Sequence, residues 1–339
     1  MSAPSIAVVI PCYRVGTQIL SLLARIGQEV RHVIVVDDCC PQNTGELVSS
    51  LCRDPRITVI THETNLGVGG AVITGYRHAL QLGADVVVKL DGDGQMDPAL
   101  IHRFVRPILE GQADYTKGNR FNDIEDVRGM PPMRLLGNAG LSFFTKASSG
   151  YWTVFDPTNG YTAIHSAVLR QLPFSKIRQR YFFESDMLFR LSTIRAYVLD
   201  VPMTAFYGDE RSNLHVSRVI PQFIAGNLIN TIKRVCYNYF LRDFSIASIE
   251  LVLGMACLLF GIIFGSCGWW ESVRTGITAS TGTVMVAALP VIVGVQLLLS
   301  FLAFDIAAVP RRALHPMLAR ATTIAAKRDV DLEIVSRAN

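Results

Sequence analysis

Two long apolar stretches near the end of the chain place the strongest limit on its fold. Residues 251–270 carry no charged side chain, and neither do residues 275–304. Roughly 20 consecutive apolar residues span the ~30 Å hydrocarbon core of a bilayer. Neither stretch shows the polar face that a helix at the surface of a soluble protein presents to water. We therefore expect two transmembrane helices, at about 246–270 and about 283–308, rather than two buried core helices.

Basic residues flank this pair of stretches. Lys233, Arg234 and Arg242 precede the first stretch, residues 311–328 hold five more lysines and arginines, and the connection holds one arginine. The positive-inside rule therefore predicts that both ends of the chain are cytoplasmic. No basic segment precedes the short apolar run at the N-terminus, so we expect no signal peptide. The sequence predicts an integral membrane protein, of the inner (plasma) membrane in a bacterium.

Composition excludes several kinds of partner. The net charge of +4 is too small to indicate a nucleic-acid-binding protein. The seven cysteines include no CxxC pair and fit free thiols in a reducing compartment. The seven histidines are scattered without the spacing of a zinc site.

The first part of the chain alternates between short apolar runs and helical periodicity. Five β-rich runs predict strands, at 5–11, 32–38, 57–61, 85–91 and 113–118. Helical patterns occupy residues 17–30 and 70–82 between them. Strands that are apolar throughout and alternate with helices predict an α/β fold with a mostly parallel sheet covered on both faces. Ligands of such sheets bind beyond the carboxyl ends of the strands.

The second part is less regular. Helices are expected at 131–148 and 182–195, and a strand at 196–203. Residues 215–240 have apolar positions at three-and-four spacing, which predicts an amphipathic helix at the membrane surface. Its polar face would consist of Arg218, Asn230, Lys233 and Arg234. A helix packed on the soluble domain is the alternative.

These patterns divide the chain into four regions. They are a soluble domain, juxtamembrane helices, the transmembrane pair and a cytoplasmic tail, at 1–212, 213–244, 245–309 and 310–339.

Three carboxylates crowd the stretch "KLDGDGQMDP", directly after an apolar run. An EF-hand is excluded because the required glycine and glutamate are missing at the sixth and twelfth positions. Asp91 and Asp93, one residue apart, can instead hold Mg²⁺ or Mn²⁺ and leave positions open for phosphate oxygens. A solvated acidic turn is the alternative. Asp97, which precedes Pro98, is expected to cap the next helix.

Four segments occur in order along the predicted α/β domain. They are "IPCYR", "VVDDC", "NLGVGGAVITGYRHAL" and "KLDGDGQMDP". Together with the membrane hairpin they resemble family 2 glycosyltransferases, in particular the polyprenyl-phosphate glycosyltransferases and dolichol-phosphate mannose synthases. The resemblance extends to about residue 309. It implies a Rossmann-like GT-A catalytic domain, an interfacial amphipathic helix and a transmembrane hairpin.

The resemblance also implies a site for a nucleotide-diphosphate sugar at the strand ends. The positions that match the family's donor-binding residues are Pro11, Tyr13, Asp38, Asn65, Gly67, Gly69 and Asp91. The family's DxD motif falls on Asp91 and Asp93, with Gln95 as a third ligand of Mg²⁺ or Mn²⁺. The glycine-bearing loop would bring backbone and a helix N-terminus close to the phosphates.

Further matches concern the reaction and the acceptor. Arg120 matches an arginine near the phosphates, and Arg134 and Asn138 resemble residues that hold the acceptor phosphate with it. Lys117 is a weaker candidate for the same task. Asp156 is a candidate active-site carboxylate, or alternatively the cap of a turn. The expected catalytic residues are Asp91, Asp93, Arg120 and Asp156.

One segment departs from the family pattern. Members that act on sugar hydroxyls often present Glu-Asp as a base, whereas here Ser185 separates Glu184 from Asp186. A lipid monophosphate is already an anion at neutral pH and needs cations rather than a base. Glu184 and Asp186 could contact the substrate, or they could form ion pairs with Arg180 or Arg190. The sequence favours neither alternative.

The resemblance thus implies a membrane-anchored inverting glycosyltransferase that moves a sugar from a nucleotide-diphosphate sugar to polyprenyl (undecaprenyl or dolichyl) phosphate. One alternative is transfer to a sugar hydroxyl of a lipid-linked or polysaccharide acceptor. Another is a non-catalytic membrane scaffold with the same fold. Related proteins form homo-oligomers, including tetramers, and the apolar spans would allow the same.

Overall fold

The computed structural model describes residues 3–121, 132–203 and 216–319. The chain forms two compact units. Residues 1–231 and 310–339 belong to the first unit, and residues 232–309 form the second.

A seven-stranded sheet forms the centre of the first unit. Its strands are β1 (Ile6–Cys12), β2 (His32–Asp37), β3 (Ile57–Thr61), β4 (Val86–Lys89), β5 (Tyr115–Asn119), β6 (Thr162–His165) and β7 (Val198–Pro202). The order across the sheet is β3-β2-β1-β4-β6-β5-β7. The pairs among β1 to β4 are parallel, β6 is antiparallel to both of its neighbours, and β7 is parallel to β5. This mostly parallel sheet confirms the predicted α/β fold.

Helices of the first unit cover the sheet or extend from it. They are α1 (Gln18–Ala24), α2 (Thr44–Leu51), α3 (Val68–Gln81), α4 (Ile101–Leu109), α5 (Pro132–Ser149), α6 (Ser166–Leu169), α7 (Phe183–Thr193) and most of α8 (Val216–Cys236). Helix α1 is shorter than the pattern at 17–30 predicts. Ile26 and Val30 are buried from a loop that contains Gly27, so their apolar spacing reflects packing and not a helix.

Burial of β1 fixes the position of α3. All seven residues of β1 are buried, as expected for a strand covered on both faces. Gly75 of α3 lies so close to this strand that an added Cβ would be 2.2 Å from Val9 Cγ1. The missing side chain lets the helix pack directly on the sheet. The N-terminus of α3 lies near the carboxyl end of β2, since the N–H groups of Leu66 and Gly67 donate to the Asp38 carboxylate.

The segment after residue 309 packs on the first unit. Asp114, directly before β5, accepts hydrogen bonds from the backbone N–H groups of Leu314 (2.7 Å) and His315 (2.8 Å). The His315 ring also stacks on His165, with ring centroids 4.1 Å apart. Because β5 runs parallel to β4, this contact lies at the edge of the sheet opposite the carboxyl ends.

Helix α8 packs on other elements of the first unit through polar side chains. Asn227 accepts a hydrogen bond from Ser148 Oγ (2.6 Å), and Asn230 donates to Asp186 Oδ1 (2.9 Å). Its apolar side chains Ile224 and Leu228 are exposed. The predicted polar face is therefore wrong for Asn230, which is buried because it binds a buried carboxylate.

The second unit is a helical hairpin. After a π-helical turn (Tyr237–Arg242), α9 (Ile246–Thr275) and α10 (Thr281–Ala307) are 30 and 27 residues long, each with a mean hydropathy of 2.4 over its most apolar window. By length and composition both could cross a membrane, as the sequence predicts. The two helices approach closely at glycines, since a Cβ on Gly261 would lie 2.8 Å from the Ala287 carbonyl oxygen.

A buried ion pair joins the two ends of the second unit. The Arg234 guanidinium donates to Asp305 Oδ1 (2.6 Å) and Oδ2 (2.9 Å), and the Tyr239 hydroxyl donates to Oδ1 (2.6 Å). Arg234 is therefore not on an exposed polar face, contrary to the sequence prediction.

Removing one partner of this pair should destabilise the hairpin strongly. Asp305→Ala leaves a buried guanidinium without its counter-ion, which costs about 3–5 kcal/mol. We expect a lower melting temperature in detergent, and recovery of most of the loss when Arg234→Met is combined with Asp305→Leu. Equal melting temperatures for wild type and Asp305→Ala would contradict this account.

Candidate active site

The parallel strands bring the predicted donor-binding residues to one edge. Cys12 at the end of β1 pairs with Asp37 at the end of β2, and the N–H of Asp38 donates to the Cys12 carbonyl (3.0 Å). Pro11 is buried in β1, whereas the following Tyr13 is 44% exposed. Backbone pairing alone therefore places these residues at the carboxyl edge where ligands of parallel sheets bind.

Asp38 organises the loop that leads into α3. Its carboxylate accepts hydrogen bonds from the N–H groups of Leu66 (2.8 Å) and Gly67 (2.7 Å), and its carbonyl accepts from Asn65 Nδ2 (3.1 Å). His62 Nδ1 lies 2.8 Å from Asp38 Oδ1. The sequence did not predict a role for His62, although this residue directly follows β3 and so lies at a strand end, as Asp38 does. The structure thus shows Asp38 as the anchor of the glycine-bearing loop.

The glycines of this loop leave room for the segment that precedes α7. A Cβ on Gly67, whose φ is +84°, would lie 2.9 Å from the Gln179 carbonyl oxygen. A Cβ on Gly69 would lie 2.7 Å from the Arg178 carbonyl oxygen. These glycines therefore let the segment before α7 pack against the N-terminus of α3.

A buried lysine links the first aspartate of the DxD motif to α7. Lys89 is 1% exposed and donates to Asp91 Oδ1 (2.8 Å) and Glu184 Oε1 (3.2 Å). Burial alone would lower the pKa of the Lys89 ammonium, but the two carboxylates outweigh it and raise that pKa above its usual range. A Cβ on Gly160 would lie 2.2 Å from Asp91 Oδ2, so Gly160 leaves room for this carboxylate. The sequence did not predict the roles of Lys89 and Gly160.

The rest of the acidic stretch separates into two parts. Asp93 Oδ1 accepts a hydrogen bond from the Gln95 N–H (3.0 Å). Asp97 Oδ1 accepts from the Ala99 N–H (3.1 Å) at the start of a 3₁₀ turn, which confirms Asp97 as a helix cap.

Within the described residues, no cluster of three or more His, Cys, Asp or Glu side chains could hold a metal. Asp91, Asp93 and Gln95 nevertheless supply the oxygen ligands that hard divalent cations take, and Asp91 is 32% exposed.

Arg120 and Asp156 form a bidentate ion pair. Arg120 Nε lies 2.7 Å from Asp156 Oδ2, and Nη2 lies 3.1 Å from Oδ1. Asp156 is 1% exposed and Arg120 is 29% exposed. The structure therefore brings together two residues that the sequence predicted separately, and the carboxylate fixes the orientation of the guanidinium.

Two predicted acceptor residues cannot be placed in this geometry. Arg134 and Asn138 belong to α5, but their side chains lie outside the described part of the structure. The second half of α5 contacts the segment next to Asp156, since Ser142 Oγ donates to the Phe155 carbonyl (2.8 Å).

Glu184 and Asp186 have different environments. Glu184 pairs with Lys89 at the DxD motif. Asp186 is 2% exposed and accepts from the Arg178 N–H (3.0 Å). Arg190 Nε lies 3.7 Å from its Oδ2, in agreement with the ion-pairing alternative for Asp186. Asp186 thus supports the segment before α7, whereas Glu184 belongs to the candidate site.

Lys117 is a second buried cation near this edge. Its ammonium donates to the Asn159 carbonyl oxygen. Burial lowers the pKa of Lys117 from 10.5 to about 8, although Glu184 and Asp156 oppose the shift. Burial likewise raises the pKa of Asp200, on the neighbouring strand β7, to about 6.

The pH dependence of stability tests the burial of Lys117. Between about pH 8 and pH 10.5 the unfolded chain binds the lysine proton more tightly than the folded protein, so wild-type stability gains roughly 3 kcal/mol with rising pH. Lys117→Met lacks this gain. We expect the difference in melting temperature, variant minus wild type, to be more positive at pH 7 than at pH 10. Lys176→Met, at an exposed position, serves as the control, and its difference from wild type should not change with pH. The same difference at pH 7 and pH 10 for Lys117→Met would show that the pKa of Lys117 is not lowered in the folded protein.

Comparison with known proteins decides the family. The family model described as Glycosyl transferase family 2 matches residues 7–172. The UDP-N-acetylglucosamine–dolichyl-phosphate N-acetylglucosaminyltransferase of Methanococcus voltae is 30% identical over 221 residues, which are 61% of this chain and 88% of that protein. The chain belongs to glycosyl transferase family 2. A second relative of this glycosyltransferase is the undecaprenyl-phosphate mannosyltransferase of Micrococcus luteus, 30% identical over 58% of this chain and 81% of that protein.

Solved structures show the fold of this glycosyltransferase. Glucosyl-3-phosphoglycerate synthase from Mycobacterium tuberculosis, in complex with Mn²⁺, UDP and glucosyl-3-phosphoglycerate, superposes with a TM-score of 0.51 at 18% identity. The match covers 68% of this chain and 80% of the synthase. It confirms the predicted GT-A-like architecture.

Proposed function

We propose that this glycosyltransferase moves a sugar from a nucleotide-diphosphate sugar to the phosphate of a polyprenyl phosphate. The observation that carries the proposal is the pair of relatives at 30% identity, whose names give dolichyl phosphate and undecaprenyl phosphate as acceptors. The two helices long and apolar enough to cross a membrane support it. An enzyme anchored in the bilayer meets such a lipid at high local concentration, which lowers the entropic cost of the encounter.

We further propose that the reaction depends on Mg²⁺ or Mn²⁺. Asp91, Asp93 and Gln95 would hold the cation, and the synthase of the same fold, solved with Mn²⁺ and UDP, agrees with this. When bound, the cation neutralises charge on the departing diphosphate. Lys89 holds Asp91 Oδ1 in place, and Gly160 keeps space for Oδ2.

On this proposal, other residues at the edge position the donor. Asp38 fixes the backbone of Leu66 and Gly67, and so the N-terminus of α3, by accepting their N–H groups. Helix N-termini favour negative charge, which suits the diphosphate. Pro11 and Tyr13 lie beside Asp38 at the end of β1, where the nucleotide would contact them.

Arg120 would position the acceptor phosphate. Its guanidinium is held by Asp156 and is partly exposed, and a planar guanidinium can donate two parallel hydrogen bonds to phosphate. Arg134 and Asn138 of α5 are proposed to assist. A phosphate oxygen then attacks the anomeric carbon as the bond to the diphosphate breaks, which inverts the configuration and releases the nucleoside diphosphate.

The environments of the two candidate bases favour a phosphate acceptor. A sugar hydroxyl must lose a proton, whereas an ionised phosphate attacks without a base. Glu184 is bound to the Lys89 ammonium, and the buried Asp186 binds the Arg178 backbone and Asn230. Transfer to a sugar hydroxyl would instead require Glu184→Gln and Asp186→Asn both to abolish turnover.

We also propose that the soluble unit and both ends of the hairpin are cytoplasmic. A chain that crosses the membrane twice returns to the side from which it started. In agreement, Leu314 and His315, which follow the second apolar helix, donate to Asp114 of the first unit. The basic residues that flank both spans give this side its cytoplasmic assignment.

The proposal is tested with purified full-length protein in detergent. Radiolabelled sugar nucleotides are supplied one at a time with undecaprenyl or dolichyl phosphate, and the organic phase is counted. We expect one donor to label the lipid, with the label lost in EDTA and restored by Mg²⁺ or Mn²⁺. Label in protein or polysaccharide with none in lipid would show that the acceptor is wrong.

A further inference from the structure

The contacts of Lys89 raise a question about cation binding. The Lys89 ammonium lies 2.8 Å from Asp91 Oδ1. One oxygen of a proposed metal ligand is therefore already bound to a positively charged group. Lys89 is 1% exposed, so neither water nor salt screens this charge well. Its second partner, Glu184, lies 95 residues away along the chain and is 14% exposed. One ammonium therefore serves two carboxylates that belong to different parts of the fold.

We infer that Lys89 and Glu184 set how tightly Asp91 binds a divalent cation before the nucleotide sugar arrives. The Lys89 ammonium competes with the cation for Asp91. Glu184 attracts the ammonium from the other side and so weakens that competition. Both are thus positioning residues: Lys89 weakens cation binding in the free enzyme, and Glu184 limits that weakening. The cation is then held firmly only when diphosphate oxygens supply further ligands. The inference rests on the proposed function only in taking Asp91 as a cation ligand.

Opposite effects of two substitutions follow from the charges. Lys89→Met removes a positive charge beside the cation site, so Mn²⁺ should bind about tenfold or more tightly in the absence of nucleotide. Glu184→Gln leaves the ammonium to Asp91 alone, so Mn²⁺ should bind several-fold more weakly. A purely structural role of the cluster would weaken binding in both variants, because both would disturb Asp91.

The measurement is an electron paramagnetic resonance titration of full-length protein in detergent with Mn²⁺, without nucleotide or lipid. Lys89→Arg, which keeps the charge, should bind Mn²⁺ within about twofold of wild type. Lys176→Met and Glu46→Gln remove the same charges at exposed positions and serve as controls. In an Asp91→Asn background, Lys89→Met should no longer tighten binding, since the effect acts through Asp91.

Shifts of the same sign for Lys89→Met and Glu184→Gln, or no shift beyond twofold in either, would overturn the inference. If Lys89→Met does not fold, Lys89→Gln, which removes the charge but keeps a polar group for the two carboxylates, replaces it and should also tighten Mn²⁺ binding. The titration contains no donor or acceptor. A failure to label polyprenyl phosphate would therefore contradict the proposed function while leaving this result unaffected.

Discussion

Asp93→Ala is expected to lower turnover about a thousandfold or more while the protein still folds. The substitution removes a ligand of the proposed cation, and such a cation contributes several kcal/mol to stabilising charge in the transition state. Asp91→Asn should have a comparable effect. The measurement is the initial rate of lipid labelling at saturating donor, with the melting temperature recorded for each variant.

Asp97→Ala is the matched control within the same stretch. Its carboxylate caps a 3₁₀ turn and pairs with Arg25 at the surface. Its loss should cost about 1 kcal/mol of stability and leave turnover within about twofold. If Asp93→Ala retained activity similar to that of Asp97→Ala, the metal-binding assignment would be wrong.

Gly160→Ala is expected to lower turnover about a hundredfold with little change in stability. The new Cβ would lie 2.2 Å from Asp91 Oδ2 and 2.5 Å from Lys89 Nζ, so both side chains must move. These atoms are the ends of flexible side chains, so the fold can adjust. The reacting groups, however, lose alignment, and a misplacement of about 1 Å can cost about a hundredfold in rate.

Gly140→Ala provides the comparison for this substitution. Gly140 lies in α5, and a Cβ there meets nothing within 4 Å. Alanine in a helix should be neutral or slightly stabilising. Rates and melting temperatures of both variants are compared with wild type. Full activity of Gly160→Ala would show that the position of Asp91 is not critical.

The sequence predicts features that depend on local pattern. Apolar strands indicated the sheet, two uncharged stretches indicated the helical hairpin, and the position before Pro98 indicated the cap at Asp97. Each of these follows from neighbouring residues, whose periodicity or turn chemistry is visible in the sequence. The helical pattern that continues past Ala24 is the exception, because a buried loop can show the same apolar spacing as a helix.

Contacts between distant residues could not be predicted in the same way. Lys89 meets Glu184 across 95 positions, Arg234 meets Asp305 across 71, and Asp114 meets His315 across 201. Each pair depends on how strands and helices come together, which no local pattern records. Asn230 and Arg234 illustrate the consequence, because their polarity suggested exposure while tertiary partners bury them.

The most direct test of the proposed acceptor compares three lipids in one assay. Full-length protein in proteoliposomes receives the active sugar nucleotide with polyprenyl phosphate, polyprenyl alcohol or a polyprenyl-diphosphate-linked sugar, and each product is analysed by mass spectrometry. We expect a single product, polyprenyl phosphate carrying one sugar on its phosphate, formed only with a divalent cation. A sugar joined to a hydroxyl of the lipid-linked sugar, with polyprenyl phosphate unchanged, would contradict it.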